Sequence, residues 1–275
     1  MKKLIAIVLC AALALGMFAG CTKQADTASL TKLEQIQAAG VLVVGTSPDY
    51  PPYEFVVAGE NGEMEYKGID ISIAEEIAKD LGVELKIEAV DFDGLDSALQ
   101  MGTIDMILAA YNPDDKRAEV MDFSDTYYID EVVALVMADT ADTYTDLATS
   151  FNGKKVGVQL GTTLETDYFP QATGAEKVAL KKVTQLVSEL KAGALDAIFV
   201  EKPIAESYIA NNPELAIATG ISFATEATGY VVGLPKDSPE LAAAVNATIK
   251  RLVDANAIAG FAETAQDIQD QAILD

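Results

Sequence analysis

Apolar runs typical of buried strands alternate with helical patterns in the first half of the chain. The run VLVVG at 41–45 is unbroken, as in a strand covered on both faces of a parallel sheet. Over about 71–81 apolar residues recur every four positions, which predicts a helix that Gly82 ends. Residues 83–89 alternate apolar and polar side chains, and IDMILAA at 104–110 is a further buried run. With a second helical pattern before the last run, this order predicts parallel βαβ units.

The same alternation continues in the second half of the chain. KVGVQ at 155–159 and LDAIFVE at 195–201 read as buried strands with a helical pattern between them. Ser238 is placed to cap a later helix that runs to about residue 255. Near the N-terminus, Ser29 is placed to cap a short helix that Gly40 ends. We therefore expect an α/β fold.

Two segments of the chain echo each other. SALQMGTIDMIL at 97–108 and SELKAGALDAIF at 188–199 match in residue type at most positions. Either αβ units simply look alike, or the molecule has two similar lobes. In the second case the strand ends near 109–112 and 200–202 occupy equivalent positions in the two lobes. Ligands of open α/β sheets bind beyond the carboxyl ends of the strands, so two facing lobes would form a binding cleft.

Composition excludes several kinds of function. Half of the 275 residues are hydrophobic, enough to bury one large core or two smaller ones. The formal net charge of −24 argues against nucleic acid, because binding phosphates needs clustered lysine and arginine. There is no histidine, which removes the commonest metal ligand and every serine–histidine or cysteine–histidine relay. We expect no metal and no cofactor.

The N-terminal segment MKKLIAIVLCAALALGMFAGC has the pattern of an export signal. Its apolar stretch at 4–18 is shorter than the roughly 20 residues that span a bilayer, and small residues precede Cys21. This arrangement resembles a bacterial lipoprotein signal, which predicts removal of 1–20, lipid on Cys21 and anchoring outside the cytoplasmic membrane. Residues 21–40 would then be a tether and a short helix. The alternative is a plain secretory signal with an incidental cysteine.

Arg117 is unusual in a chain that otherwise uses lysine. Of the 19 basic residues only Arg117 and Arg251 are arginine, and Arg117 lies among acids in DDKRAEVMDFS. One interpretation is an ordinary salt bridge. The other is recognition of a carboxylate, since a guanidinium donates two parallel hydrogen bonds and an ammonium cannot.

Five motifs occur in order along the chain: GTSPDYPPYEF (45–55), GIDISIAEEIAKDL (68–81), DFDGLDSALQMGTIDMI (91–107), DDKRAEVMDFSDTYY (114–128) and GKKVGVQLGTT (153–163). Together they resemble one family, the extracytoplasmic solute-binding proteins (family 3) of polar amino-acid ABC transporters. One departure is Ser72, where the family usually has an acid; Ser72 can still cap a helix.

The resemblance implies a two-lobed type II periplasmic-binding-protein fold. Each lobe would be a mainly parallel sheet flanked by helices, and two crossover strands near 127–131 and 226–230 would form the hinge. Residues 41–129 would form the first part of lobe one and 130–225 lobe two. Residues 226–275 would return to lobe one and contain the C-terminal segment.

The resemblance also assigns roles at both ends of an amino-acid ligand. Arg117 would bind the carboxylate, helped by main-chain amides near Ala110 and Asn112. Thr162 and Thr163 would add donors at the start of a lobe-two helix, or serve simply as its caps. Glu201 matches a position where the family usually has aspartate against the ligand's ammonium. Its alternative role is a surface acid paired with the neighbouring lysine.

Three more residues match positions that face the ligand's side chain. Tyr50 and Phe92 would flank it, which suits an aliphatic stem, an amide or a cation; otherwise they are core residues. Ser47 stands where binders of basic amino acids often place aspartate, which weakens the case for lysine or arginine. No further arginine is evident for an acidic side chain. We expect a polar uncharged or basic amino acid.

The function implied is capture of an amino acid by hinge closure and delivery to an ABC permease. We expect a monomer that binds no nucleic acid, contacts the membrane through its lipid and is not an enzyme. Two alternatives stay open. One is an enzyme on the same fold, such as a cyclohexadienyl dehydratase with Glu201 as general acid. The other is a surface amino-acid sensor without a permease.

Overall fold

The protein is built from two α/β lobes, each around a five-stranded sheet. Its structure, a computed structural model, describes residues 30–59, 62–224 and 228–272. The elements of lobe one before the first crossover are α1 (Lys32–Ala39), β1 (Val41–Thr46), β2 (Asp49–Tyr50), β3 (Glu54–Ala58), β4 (Met64–Lys67), α2 (Ile69–Leu81), β5 (Glu84–Ala89), α3 (Leu95–Gln100), β6 (Met106–Ile107), α4 (Asp115–Val120) and β7 (Met121–Phe123).

Lobe two follows, and the chain then returns to lobe one. The elements of lobe two are β8 (Val132–Met137), β9 (Lys155–Gln159), β10 (Glu176–Leu180), α5 (Val183–Lys191), β11 (Ala197–Glu201), α6 (Lys202–Asn211) and β12 (Leu215–Ile217). The returning elements are β13 (Gly233–Pro235), α7 (Pro239–Asp254) and α8 (Ala257–Ala272).

The two large sheets have the same layout. Their strand orders are β5-β1-β6-β13-β7 and β10-β9-β11-β8-β12. In each sheet the first three strands are parallel, as the βαβ pattern predicts. The fourth strand is antiparallel to both neighbours. That strand, β8 or β13, is the one that enters its lobe after a crossover. The predicted two-lobed fold is confirmed.

The crossovers lie side by side. Tyr128 and Tyr230 form an antiparallel bridge, and Tyr230 donates its amide to the Tyr128 carbonyl at 2.7 Å. Tyr127 donates its amide to the Tyr230 carbonyl at 2.9 Å. Both predicted crossover segments therefore meet; Glu226, at the predicted start of the second, lies outside the described residues.

The sequence echo corresponds to one structural device used twice. Asp105 exchanges main-chain and side-chain hydrogen bonds with Val43 of β1, at 2.7 and 2.8 Å. Asp196 does the same with Lys155 of β9, at 2.9 and 2.8 Å. Each aspartate precedes the third parallel strand and fixes it beside the first. The echo therefore marks equivalent places in two similar lobes.

The apolar core runs from one lobe into the other. One buried cluster includes Ile77 and Ile249 of lobe one together with Leu135 and Leu186 of lobe two. Tyr53 and Tyr230 join the two parts at the hinge, with ring centroids 4.9 Å apart. The lobes are thus packed together around the hinge rather than held by the crossovers alone.

The expected helix caps compare with the structure as follows. The first helix starts at Lys32, where Thr31 and Glu34 form a reciprocal capping box; Ser29, the expected cap, lies outside the described residues. Ser238 precedes α7 but makes no side-chain capping bond. Ser72 lies inside α2 and donates its hydroxyl to the Gly68 carbonyl at 3.0 Å. The local sequence therefore predicts where a helix starts only to within a few residues.

Gly68, at the start of α2, is expected to be intolerant of any side chain. Its φ is +130°, and a Cβ there would lie 2.1 Å from the main-chain oxygen of Tyr53. We expect Gly68→Ala to lower the free energy of unfolding by at least about 3 kcal/mol, because backbone strain and overpacking add. Gly82→Ala is the matched control, since its φ is +72° and nothing lies within 4 Å of the added Cβ. If urea denaturation shows that the two variants lose equal free energies of unfolding, the close contact at Gly68 is not what makes this position intolerant.

Candidate functional site

The parallel strands of both lobes end at one cleft. A narrow cavity lies there, lined by residues at or after the ends of β1, β5 and β6 in lobe one and of β9 and β11 in lobe two. Six of the nine predicted ligand-binding residues line it: Tyr50, Phe92, Ala110, Asn112, Thr162 and Glu201. Ala109, Gln159 and Leu164 complete the lining and were not predicted. Thr163 lines an adjoining cavity that shares Asn112 and Glu201 with the first.

Arg117 is buried at the edge of this cleft, with 5% of its surface exposed. Its guanidinium donates to the Asn112 carbonyl at 2.6 Å and to the Gly161 carbonyl of lobe two at 3.0 Å. It lies 4.1 Å from the centre of the Tyr111 ring and 5.5 Å from that of Phe92. A guanidinium placed over aromatic rings in this way also donates hydrogen bonds at its edge, which a lysine ammonium cannot reproduce.

Helix α4 positions Arg117 through contacts on the side of the guanidinium that faces away from the cleft. The Asp114 carboxylate caps the helix by accepting the Arg117 amide at 2.8 Å. The same carboxylate lies 3.4 Å from Nε of Arg117, and Asp96 lies 3.7 Å from it. The acids that make Arg117 look like an ordinary ion pair in the sequence therefore fix the Nε side, while the terminal nitrogens face the cleft between the lobes.

Glu201 ends β11 on the opposite wall and is also buried, with 6% exposed. Its carboxylate accepts a hydrogen bond from the Tyr50 hydroxyl of lobe one. Burial raises the pKa of Glu201 to about 7, and the bond from Tyr50 opposes that rise. Glu201 is therefore not the surface acid paired with Lys202 that the sequence left open.

The Ala110 amide is already engaged. Ala110 has a positive φ of 45°, and its N–H donates to the buried carboxylate of Asp70 at 2.7 Å. The Tyr127 hydroxyl donates to the same carboxylate at 2.8 Å. In this arrangement the amide of Ala110 does not point to a ligand carboxylate as predicted, because Asp70, forty residues earlier, accepts from it.

Thr162 and Thr163 are buried at the cleft, but no regular helix follows them. Leu164–Tyr168 forms a single π-helical turn and Phe169–Gln171 a 3₁₀ turn. The expected helix dipole is therefore weak there, because it needs several aligned turns. Thr162 donates its hydroxyl to the Gln159 carbonyl at 2.7 Å, while the Thr163 hydroxyl lies 3.4 Å from the side-chain oxygen of Asn112.

An acid that the sequence reasoning missed lies beside Ser47. Ser47 is 1% exposed and donates its hydroxyl to Asp49 at 2.9 Å. Asp49 also accepts the Val183 amide of lobe two at 2.7 Å, and Lys182 lies 3.7 Å away. Burial raises the pKa of Asp49, and Lys182 opposes that rise. The position of Asp49 in GTSPDYPPYEF, three residues after the first strand ends, is the sequence feature that could have identified it.

Ion pairs join the two lobes at the cleft rim. Lys181 of lobe two lies 3.3 Å from Asp91 and 3.4 Å from Asp93, and Lys182 lies 3.1 Å from Asp91. These side chains are partly exposed, so each pair contributes at most about 1 kcal/mol. Together with the hydrogen bonds that Arg117 and Tyr50 make across the cleft, these ion pairs hold the two lobes in contact in this structure.

Neither a metal cluster nor a membrane-spanning helix occurs in the part of the chain that the structure describes. No group of three acidic or cysteine side chains among these residues is arranged to hold a metal ion. Among the same residues, no helix combines the length and apolar character needed to cross a membrane.

Solved structures and characterised relatives resemble this chain over most of its length. An amino-acid ABC transporter substrate-binding protein, AbpA from Streptococcus pneumoniae, solved with L-arginine, has a TM-score of 0.82 at 34% identity and covers 86% of this chain and 98% of that one. A probable histidine-binding protein of Campylobacter jejuni is 36% identical over 68% of each chain. The arginine-binding extracellular protein ArtP of Bacillus subtilis is 31% identical over 78% of this chain and 81% of its own.

These relatives are binding proteins rather than enzymes, which agrees with the expectation from the sequence. The sequence profile of one family matches residues 42–264, which is most of the chain. The chain belongs to the bacterial extracellular solute-binding proteins, family 3.

Proposed function

We propose that this protein captures a free amino acid between its lobes, with Arg117 binding the carboxylate and Glu201 the ammonium. The observation that carries the proposal is a buried cation on one wall and a buried acid on the other that do not pair with each other. Arg117 forms ion pairs with Asp96 and Asp114, while Glu201 accepts from Tyr50. A ligand carboxylate would accept from the cleft-facing nitrogen of Arg117, and a ligand ammonium would stabilise the charged form of Glu201, which burial disfavours.

The donor that faces Gly161 is the one a ligand would use. Gly161 belongs to lobe two and Arg117 to lobe one, so separation of the lobes breaks this bond. A carboxylate entering the open cleft can then accept from that nitrogen, in place of a neutral carbonyl. Hydrogen bonds between two charged groups are stronger than those to a carbonyl, so the exchange favours binding.

The favoured ligand has a polar uncharged or basic side chain. Asp49 supports this choice, because it adds an acid beside Ser47, and Tyr50 and Phe92 are aromatic walls suited to a cation. We expect L-arginine, L-histidine or L-glutamine to bind in calorimetric titration of the soluble protein. L-glutamate should bind at least about tenfold more weakly, since its side chain meets like charge. Tightest binding of L-glutamate would contradict the choice.

Binding is proposed to proceed by hinge closure. Several bonds between the lobes lie at the cleft and its rim, where a ligand would bridge them. Small-angle scattering should show a smaller radius of gyration with saturating ligand than without it. Identical scattering curves would contradict closure upon binding.

Delivery to an ABC permease and lipid anchoring on Cys21 complete the proposal. Family membership supports the first, and the segment before Cys21 supports the second; Cys21 lies outside the described residues. We expect Cys21→Ser to move the protein from the membrane fraction to the soluble fraction, because it loses its acyl chains. Membrane-bound Cys21→Ser protein would rule out this anchor.

A further inference from the structure

The cleft continues past Glu201 into two more cavities. The hinge cavity is narrow and is lined by Asn112, Asp130, Val132, Thr163, Tyr168, Glu201, Gly229 and Tyr230. The outer cavity, about 340 Å³ and open to solvent, is lined by Ile129, Asp130, Glu131, Val132, Tyr168, Ser222 and Phe223. The hinge cavity shares Asn112 and Glu201 with the cleft, and Asp130, Val132 and Tyr168 with the outer cavity.

The hinge and outer cavities are lined by acidic side chains that form no ion pair among the described residues. Neither Asp130 nor Glu201 forms an ion pair with any lysine or arginine in residues 30–59, 62–224 and 228–272. Asp130 accepts a hydrogen bond from Tyr53, and burial raises its pKa to about 6. Glu131, at the outer cavity, is exposed. A positive charge placed beside Asp130 would therefore be stabilised.

Tyr230 lines the hinge cavity together with both acids, Asp130 and Glu201. Its hydroxyl is buried and completes no hydrogen bond of good geometry within the described residues. One residue of extended chain spans up to about 3.6 Å, so neighbouring nitrogens of one peptide can meet two acids that line the same narrow cavity.

We propose that the site also accepts dipeptides, with the C-terminal carboxylate on Arg117, the peptide N–H at Glu201 and the N-terminal ammonium at Asp130. The free hydroxyl of Tyr230 would meet the peptide group. The proposal rests on the proposed function, because Arg117 still binds the carboxylate and Glu201 still accepts from the nitrogen of the same residue, which is now a peptide N–H.

The walls of the outer cavity suit the first side chain of such a peptide. Tyr168 and Phe223 contact edge to face with ring centroids 5.4 Å apart, and Ile129 is 64% exposed at the mouth. An apolar side chain would cover this surface and remove it from water. Leucine at the N-terminus is therefore the probe of choice.

The test titrates the soluble protein with L-arginine, L-histidine and L-glutamine, and with the leucyl dipeptide of each. We expect at least one dipeptide to saturate, and its N-acetyl form, which lacks the ammonium, to bind at least about tenfold more weakly. Free amino acids that bind while all three dipeptides fail would overturn this proposal and leave the proposed function standing. Failure of every probe would overturn both.

The matched variants are Asp130→Asn and Asp139→Asn, the second an exposed acid of lobe two outside the cavities. Asp130→Asn should lower the ratio of dipeptide to amino-acid affinity at least about tenfold, and Asp139→Asn should leave that ratio unchanged. An unchanged ratio in Asp130→Asn would show that the ammonium lies elsewhere. If Asp130→Asn does not fold, the comparison with the N-acetyl dipeptide decides the question without any variant.

Discussion

Arg117→Lys is expected to weaken amino-acid binding by about 1.5–3 kcal/mol, the scale of charge-assisted hydrogen bonds. This corresponds to a loss of affinity of roughly 10- to 150-fold. Lysine keeps the charge but cannot stack flat on Tyr111, reach Asp114 and face the cleft at the same time. Calorimetric titration measures the loss directly.

Arg251→Lys is the control for this prediction. Arg251 is half exposed and pairs with Glu76 and Asp80 on the surface, at 2.8 and 2.7 Å. The same substitution there should leave ligand affinity unchanged and alter stability by less than about 1 kcal/mol. If Arg117→Lys keeps full ligand affinity, Arg117 is not the residue that binds the ligand's carboxylate.

The second large effect concerns the ionisation of Glu201. Its pKa of about 7 means that a proton competes with the ligand's ammonium for the carboxylate below neutral pH. Affinity should therefore fall as pH decreases through about 7, approaching roughly tenfold per pH unit. The sign follows because the ligand requires the charged form and burial favours the neutral one.

Glu201→Gln should bind weakly at every pH between about 5 and 8, with no such slope, because glutamine does not titrate. Glu189→Gln, which replaces an exposed acid of α5, is the matched control and should keep the wild-type slope. A wild-type affinity that stays constant over the same pH range would show that the ammonium is bound elsewhere.

Features that depend on neighbouring residues could be predicted from the sequence. The parallel strands, the helix ending at Gly82 and the equivalence of the two lobes follow from local patterns. Asp105 and Asp196 show why the echo is informative, since each fixes its strand by the same bonds. Most predicted site residues meet at the cleft because strand ends gather there.

Features that depend on distant parts of the chain could not be predicted. No local pattern indicates that Asp70 accepts the Ala110 amide, or that Asp49 reaches the Val183 amide of the other lobe. The π-helical turn after Thr163 was also missed, because GTTLE has the composition of an ordinary helix start. For the Ala110 and Val183 amides, a long-range contact decides what a short segment does.

The most direct test of amino-acid capture is thermal unfolding of the soluble protein, started after Cys21, with each of the twenty amino acids. A ligand at a hundredfold excess over its Kd adds about 2.7 kcal/mol of stability. We predict a higher Tm with one or a few amino acids and no shift with any of them in Arg117→Ala. Unchanged Tm values with all twenty, or a shift that survives in Arg117→Ala, would contradict an amino-acid site built on this arginine.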